Sequence, residues 1–161
     1  MTAIMLAAEQ GYHNCVQILL SFGANPNLKN EDEYTALLLA AEHGRNETVR
    51  TLCIWPGVDI EMSNKFGKNA FIMAAEFGRF ESLMILREHG ANVNAESKRG
   101  MTALFLASLK KHVQIVEYLV AHGANPTNKK GTMQVTWKRV ILDLNYSFIF
   151  FGSCCFDFDR R

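Results

Sequence analysis

Five histidines, one pair of adjacent cysteines and three evenly spaced glutamates are the residues of this chain whose chemistry could amount to a site. The histidines (His13, His43, His89, His112 and His122) are scattered from one end of the sequence to the other. His89 and His122 are 33 residues apart, as equivalent positions of successive units would be. Packed helices lie about 8–10 Å apart, whereas ligands of one zinc stand about 2 Å from it. Those two therefore cannot share a metal, and all five read as solvated loop residues. Cys154 and Cys155, with Asp157 and Asp159 beside them, lack the spacing of a zinc site and have no nearby histidine. Glu9, Glu42 and Glu76 follow one another at steps of 33 and 34, which suits a charged, solvated face better than a catalytic carboxylate pair. No glycine-rich loop suited to phosphate is present, and no serine or cysteine sits in a nucleophile motif. The expectation is a chain that is not an enzyme and needs no metal, cofactor or small-molecule substrate.

The elements that position these residues must therefore be read for binding. The chain has 161 residues, 48% hydrophobic and 20% charged, enough for one domain with a sizeable core. A formal net charge of +1 is far from the basic balance that neutralises phosphates, so nucleic acid is not the expected partner. Met1-Thr2-Ala3-Ile4 runs directly into a helical pattern, with no basic segment or cleavage site of a secretory leader. Cys15 and Cys53 fall within apolar helical patterns, where a thiol acts as a small hydrophobe. A reducing compartment is expected, the cytoplasm first and the nucleus second.

Internal repetition decides the organisation. Thr2-Ala3-Ile4-Met5-Leu6-Ala7-Ala8-Glu9-Gln10-Gly11 recurs as Thr35-Ala36-Leu37-Leu38-Leu39-Ala40-Ala41-Glu42-His43-Gly44. It recurs again from Asn69 to Gly78 and from Thr102 to Lys111, the starting residues being 33, 34 and 33 apart. A second block follows each first one: Leu19, Leu52, Leu86 and Leu119 share one position, and Gly23, Gly57, Gly90 and Gly123 another.

Within a unit, Thr2 suits a helix N-cap, accepting a bond from an otherwise unpaired backbone N–H. Ala3, Ala7 and Ala8 allow close approach of neighbouring helices. Gly11 stands where a left-handed residue ends the helix. Val16, Leu19 and Leu20 then form the apolar stripe of a second helix, which Gly23-Ala24-Asn25 terminates. Neither helix can bury its stripe alone; stacking buries it.

On these residues the chain resembles the ankyrin repeat, whose pattern runs roughly D-x-x-G-x-T-P-L-H-x-A-A-x-x-G, a second helix, then G-A-D-V-N. Glu96-Ser97-Lys98-Arg99-Gly100-Met101-Thr102-Ala103-Leu104 and Gly90-Ala91-Asn92-Val93-Asn94-Ala95 match it closely. The resemblance covers residues 1 to about 128 and implies an all-α ankyrin-repeat solenoid, antiparallel helix pairs joined by hairpin-like loops. The units are expected at about 1–30, 31–63, 64–96 and 97–128, followed by a non-repeat aromatic tail at 129–161. Departures are informative. Ala3, Ala36, Ala70 and Ala103 replace the family's proline, and Met5, Leu38, Ile72 and Phe105 replace its histidine. Glu33 stands where Gly67 and Gly100 do, and Lys111 where Gly11, Gly44 and Gly78 do, so local strain is expected at both. Pro56 is an insertion that lengthens the loop after the second unit's outer helix.

The sequence opens where the first unit already needs its helix cap, and the period fails after Asn128, so a cut from a longer array is one expectation. The tail carries Trp137, Tyr146, Phe148, Phe150, Phe151, Phe156 and Phe158. It reads as unpacked sequence, as a cap over the last unit, or least of all as a membrane contact, since Asp143 and Asn145 interrupt the one apolar candidate.

The resemblance implies that loop tips and inner helices line one face for another protein, with the chain itself a monomer. Carried over position by position, the tips contribute Glu31, Asp32 and Tyr34, then Lys65, Phe66 and Lys68, then Lys98, Arg99 and Met101. The inner helices add Phe77 and its neighbours. Tyr34, Phe66, Phe77 and Met101 are the expected large exposed anchors, and the charge changes from an acidic first tip to basic second and third tips, which would orient a partner. Such a module serves as scaffold or adaptor, or as the targeting segment of a larger ankyrin-containing enzyme such as a kinase or ligase, unless it is a truncated gene fragment.

Overall fold

The computed structural model describes residues 1–127; the tail expectations lie outside the described residues. Eight helices follow one another as four pairs: α1 (Ala3–Gln10) with α2 (His13–Ser21), α3 (Ala36–His43) with α4 (Asn46–Ile54), α5 (Ala70–Glu76) with α6 (Phe80–Glu88), and α7 (Ala103–Leu109) with α8 (Val113–Ala121). The inner helices α1, α3, α5 and α7 pack in series, and α2, α4 and α6 form the outer row behind them. At the last junction Phe80 meets Tyr118 edge to face, with ring centroids 5.5 Å apart, and Tyr118 stacks on His122.

Each inner helix begins on the same device. The side chains of Thr2, Thr35, Asn69 and Thr102 accept from the N–H three residues on, at 3.4, 3.3, 3.0 and 3.2 Å. The core is built from repeated positions. Ala36, Ala70 and Ala103 are fully buried where the family has proline, and Leu38 and Ile72 fill the position of its histidine. Leu52, Leu86 and Leu119 have no exposed surface, while the first unit's Leu19 is half-buried. Leu6 is 50% exposed, yet its counterparts Leu39, Met73 and Leu106 are buried.

Gly11, Gly44 and Gly78 have φ of 86°, 67° and 72°, and the expected departures, Glu33 and Lys111, are left-handed too, at 62° and 61°. Pro56 sits between the end of α4 and the left-handed Gly57, with Trp55 extended before it, as a residue preceding proline prefers.

Candidate functional site

The tips are organised by residues that the sequence reading did not single out. Asn30 Oδ1 accepts from the N–H of Asp32 (3.0 Å) and of Tyr34 (2.8 Å). Asn64 Oδ1 does the same for Phe66 (3.0 Å) and Lys68 (3.1 Å), and Ser97 Oγ accepts from Met101 N–H (3.0 Å). Each side chain substitutes for a turn carbonyl. Their common register, with glycine three residues on in two of three tips, was the available signal. Successive tips then join through the main chain: Lys65 N–H donates to Asp32 O at 3.3 Å and Lys98 N–H to Phe66 O at 3.0 Å. A Cβ on Gly67 would stand 2.7 Å from Lys98 N, so this close approach excludes a side chain there. Glu33 carries one at the equivalent place, and Lys29 supports that junction by reaching both Glu33 (3.3 Å) and Ser63 O (2.8 Å).

These ladders bring the candidate residues onto one face. Phe66 is 49% and Phe77 42% exposed. Lys65, Phe66, Lys68, Lys98, Arg99 and Met101 line one groove of about 350 Å³ between the second and third tips. Glu31 and Asp32 stand exposed at the first tip. Tyr34 and Met101 correct the expectation of four exposed anchors, because both are half-buried. Tyr34 packs against the core, and burial, together with the charge of Glu42, pushes its phenol above the ordinary range. Equivalent positions Tyr34, Lys68 and Met101 sit on the returning arm of each tip, over the inner helices, not at the apex.

The glutamate row is also corrected. It is a half-buried row of carboxylates, not a solvated face. Glu76 Oε2 pairs with Lys68 Nζ at 2.5 Å, with side chains only 17% and 16% exposed, and Glu9 lies 3.9 Å from His43 Nε2. Glu42, between them, has its carboxyl raised above the usual range by burial, which the nearby His43 opposes and the Glu76 and Glu9 charges reinforce. Lys68, on the returning arm of its tip, holds Glu76.

Nor are His43, His89, His112 and His122 merely solvated. His43, His89 and His122 direct Nδ1 at the carbonyls of Leu39, Ile85 and Tyr118 at 3.0, 2.8 and 2.7 Å, and the last two carbonyls also accept the backbone N–H of the same histidine. A carbonyl only accepts, so each of these nitrogens carries the proton. His112 reaches across units: its Nε2 is 3.0 Å from Glu76 O. Arg45 and Arg79 make the same reach, with Nε 2.9 Å from Glu9 O and 3.0 Å from Glu42 O. Among the described residues no three His, Cys, Asp or Glu side chains converge on a metal-sized point, and no helix is long and apolar enough to cross a membrane.

Stacked helix pairs with a continuous face of hairpin tips define a repeat module for interaction. The family profile for ankyrin repeats (three copies) matches residues 1–62 and 52–130, and the chain belongs to the ankyrin-repeat family. Ankyrin repeats are a general protein–protein interaction module. The chain is 31% identical over 134 residues to the transient receptor potential cation channel subfamily A member 1 homolog of Caenorhabditis elegans, covering 83% of this chain and 11% of that protein. It is 36% identical over 129 residues to the B-cell lymphoma 3 protein homolog of Mus musculus (77% of this chain, 29% of that protein). It is 30% identical over 137 residues to an ankyrin repeat and KH domain-containing protein of Caenorhabditis briggsae (84% and 5%). The chain spans less than a third of the length of each of these relatives.

Proposed function

We propose that this chain binds another protein through its tips and inner-helix face, acting as a scaffold or adaptor. The observation that carries the reading is a division of labour among repeated positions. Caps, left-handed glycines, leucines and cross-unit arms serve stacking, whereas Glu31, Asp32, Lys65, Phe66, Phe77, Lys98 and Arg99 expose a different chemistry in each unit on one face. Large aromatic and arginine side chains in such positions are the usual anchors of interfaces. Tyr34, Lys68 and Met101 form the floor of that face. The binding unit is a monomer, and a cytoplasmic setting, with the nucleus as the second location, agrees with free thiols at Cys15 and Cys53. The test is affinity capture with the full chain beside a variant carrying alanine at Lys65, Phe66, Lys98 and Arg99. Loss of captured proteins by a variant with unchanged helicity supports the reading, and identical capture overturns it.

A second reading is favoured by coverage. Because the chain matches a small share of each relative, the module acts as the targeting or regulatory segment of a larger protein, an enzyme such as a kinase or ligase among them. The full-length transcript decides it: an open reading frame continuing into a catalytic domain supports the reading, and a frame coding for repeats alone overturns it.

A further inference from the structure

Resting on the protein-binding reading above, we infer that the groove between the second and third tips takes an extended acidic segment of a partner protein, one apolar side chain of which seats against Phe66 and Met101. The charges around this groove are unequal in their availability. Lys65 Nζ is bound to Asp32 at 2.5 Å, and Lys68 Nζ to Glu76 at 2.5 Å. Lys98 and Arg99 are exposed at the third tip and have no ion pair among the described residues. The basic character of the second tip is thus largely neutralised from within, and the cations left for a ligand are those at the far wall of the groove. Between the two walls the surface is apolar: Phe66 is 49% exposed, and Met101 stands half-buried across from it.

The spacing limits what fits. An extended chain advances about 3.3 Å per residue and adjacent helices lie about 8–10 Å apart, so roughly three residues span one unit. A carboxylate reaching Lys98 and Arg99 therefore stands within about three residues of the side chain lodged at Phe66. Arginine accepts a carboxylate through two parallel N–H bonds, which fixes the segment's register. Toward the first tip the sign reverses, since Glu31 is exposed and without an ion pair among the described residues. A basic residue about six positions from the carboxylate completes the match. Single-stranded nucleic acid also combines negative charge with stacking faces, but its uniform charge would run over the exposed Glu31 at the first tip, which repels it.

The probe is a fluorescein-labelled decapeptide with adjacent Asp and Glu, a Leu three residues on and a Lys three further, titrated with the full chain and followed by anisotropy. Controls are the same peptide with Asp and Glu replaced by Lys, the peptide with Leu replaced by Ser, and a labelled ten-nucleotide oligouridine. The acidic peptide is expected to bind at least tenfold more tightly than each control, and binding should weaken at higher salt. The double variant Lys98→Glu, Arg99→Glu should lose at least tenfold for the acidic peptide and gain for the charge-reversed one. Equal binding of acidic and reversed peptides, insensitivity to the double variant, or tighter binding of the oligonucleotide overturns the inference. If the alanine variant above still loses captured proteins, the broader reading survives that failure; if capture is unchanged as well, both fall.

Discussion

Arg79 Nε lies 3.0 Å from the carbonyl oxygen of Glu42, one unit earlier, and its side chain crosses directly over Gly44. The contact joins a cation to the C-terminal end of an inner helix, where unpaired carbonyls and the helix dipole favour positive charge. It also gives Gly44 two reasons to be glycine: a φ of 67°, and a Cβ that would stand 2.7 Å from Arg79 Cδ.

Gly44→Ala is therefore expected to cost more stability than Gly90→Ala, whose φ is 89° but whose Cβ would meet nothing within 4 Å. The conformational part should be about 1 kcal/mol in both. Urea denaturation of both substitutions, each alone and combined with Arg79→Ala, isolates the steric part. Equal costs with and without Arg79 would show that the arm moves aside freely.

Lys111 holds the same place in the fourth unit with φ 61°. The backbone penalty is what a glycine there would remove. Lys111→Gly should raise stability by about 1 kcal/mol, read as a higher urea midpoint with unchanged slope. An unchanged or lower midpoint contradicts this.

Leu86 is completely buried on α6. Leu86→Ala should cost roughly 2–5 kcal/mol, enough to unfold much of a four-unit stack at 37 °C. Leu19→Ala, at the half-buried equivalent, should cost less. Melting curves by circular dichroism check both, and a loss below about 0.5 kcal/mol for Leu86→Ala would mean that the core face lies elsewhere.

The raised carboxyl of Glu42 makes a pH prediction. In the folded state it holds its proton above the ordinary value of 4.5, so between those two pH values the folded chain binds more protons than the unfolded one. Stability contributed by this group is then complete below 4.5 and declines as pH rises through the folded value. Glu42→Gln should raise the melting temperature at pH 7, and its advantage should vanish below pH 4.5. An equal advantage at both values would assign the effect to packing.

Most of the stack was readable from the sequence, because position repeats and each repeat carries the same local chemistry: Thr2 and Thr102 as caps, Gly11 and Gly78 as helix ends, Leu52 and Leu86 as core. What was not readable lies between units. Arg45, Arg79 and His112 look like unrelated surface residues, since a guanidinium and an imidazole share no obvious type, and their common acceptor is a main-chain atom 36 or 37 residues away. The half-burial of Tyr34 and the glutamates was hidden too, because it depends on folded contacts: Asn64 of the next tip beside Tyr34, His43 of the next inner helix beside Glu9, and Lys68 folded back onto Glu76. Another such link escaped notice, in which Asn27 Oδ1, Glu61 Oε1 and Asn94 Oδ1 accept from the N–H of Asp59, Asn92 and Asn125 at 3.0, 2.8 and 2.7 Å.

The cross-unit arms bear on how an array of this kind gains and loses members. Each arm presents its own donor to a carbonyl that every residue type possesses, so a newly duplicated unit can dock on any predecessor without a matching mutation in it. The one demand the arm makes on its predecessor is a bare α-carbon beneath it, as at Gly11, Gly44 and Gly78. A unit ending in Lys111 does not meet that demand. Insertion of a copy immediately after it by unequal recombination should therefore be tolerated only together with a reversion to glycine, whereas insertion after any of the first three units requires no second change.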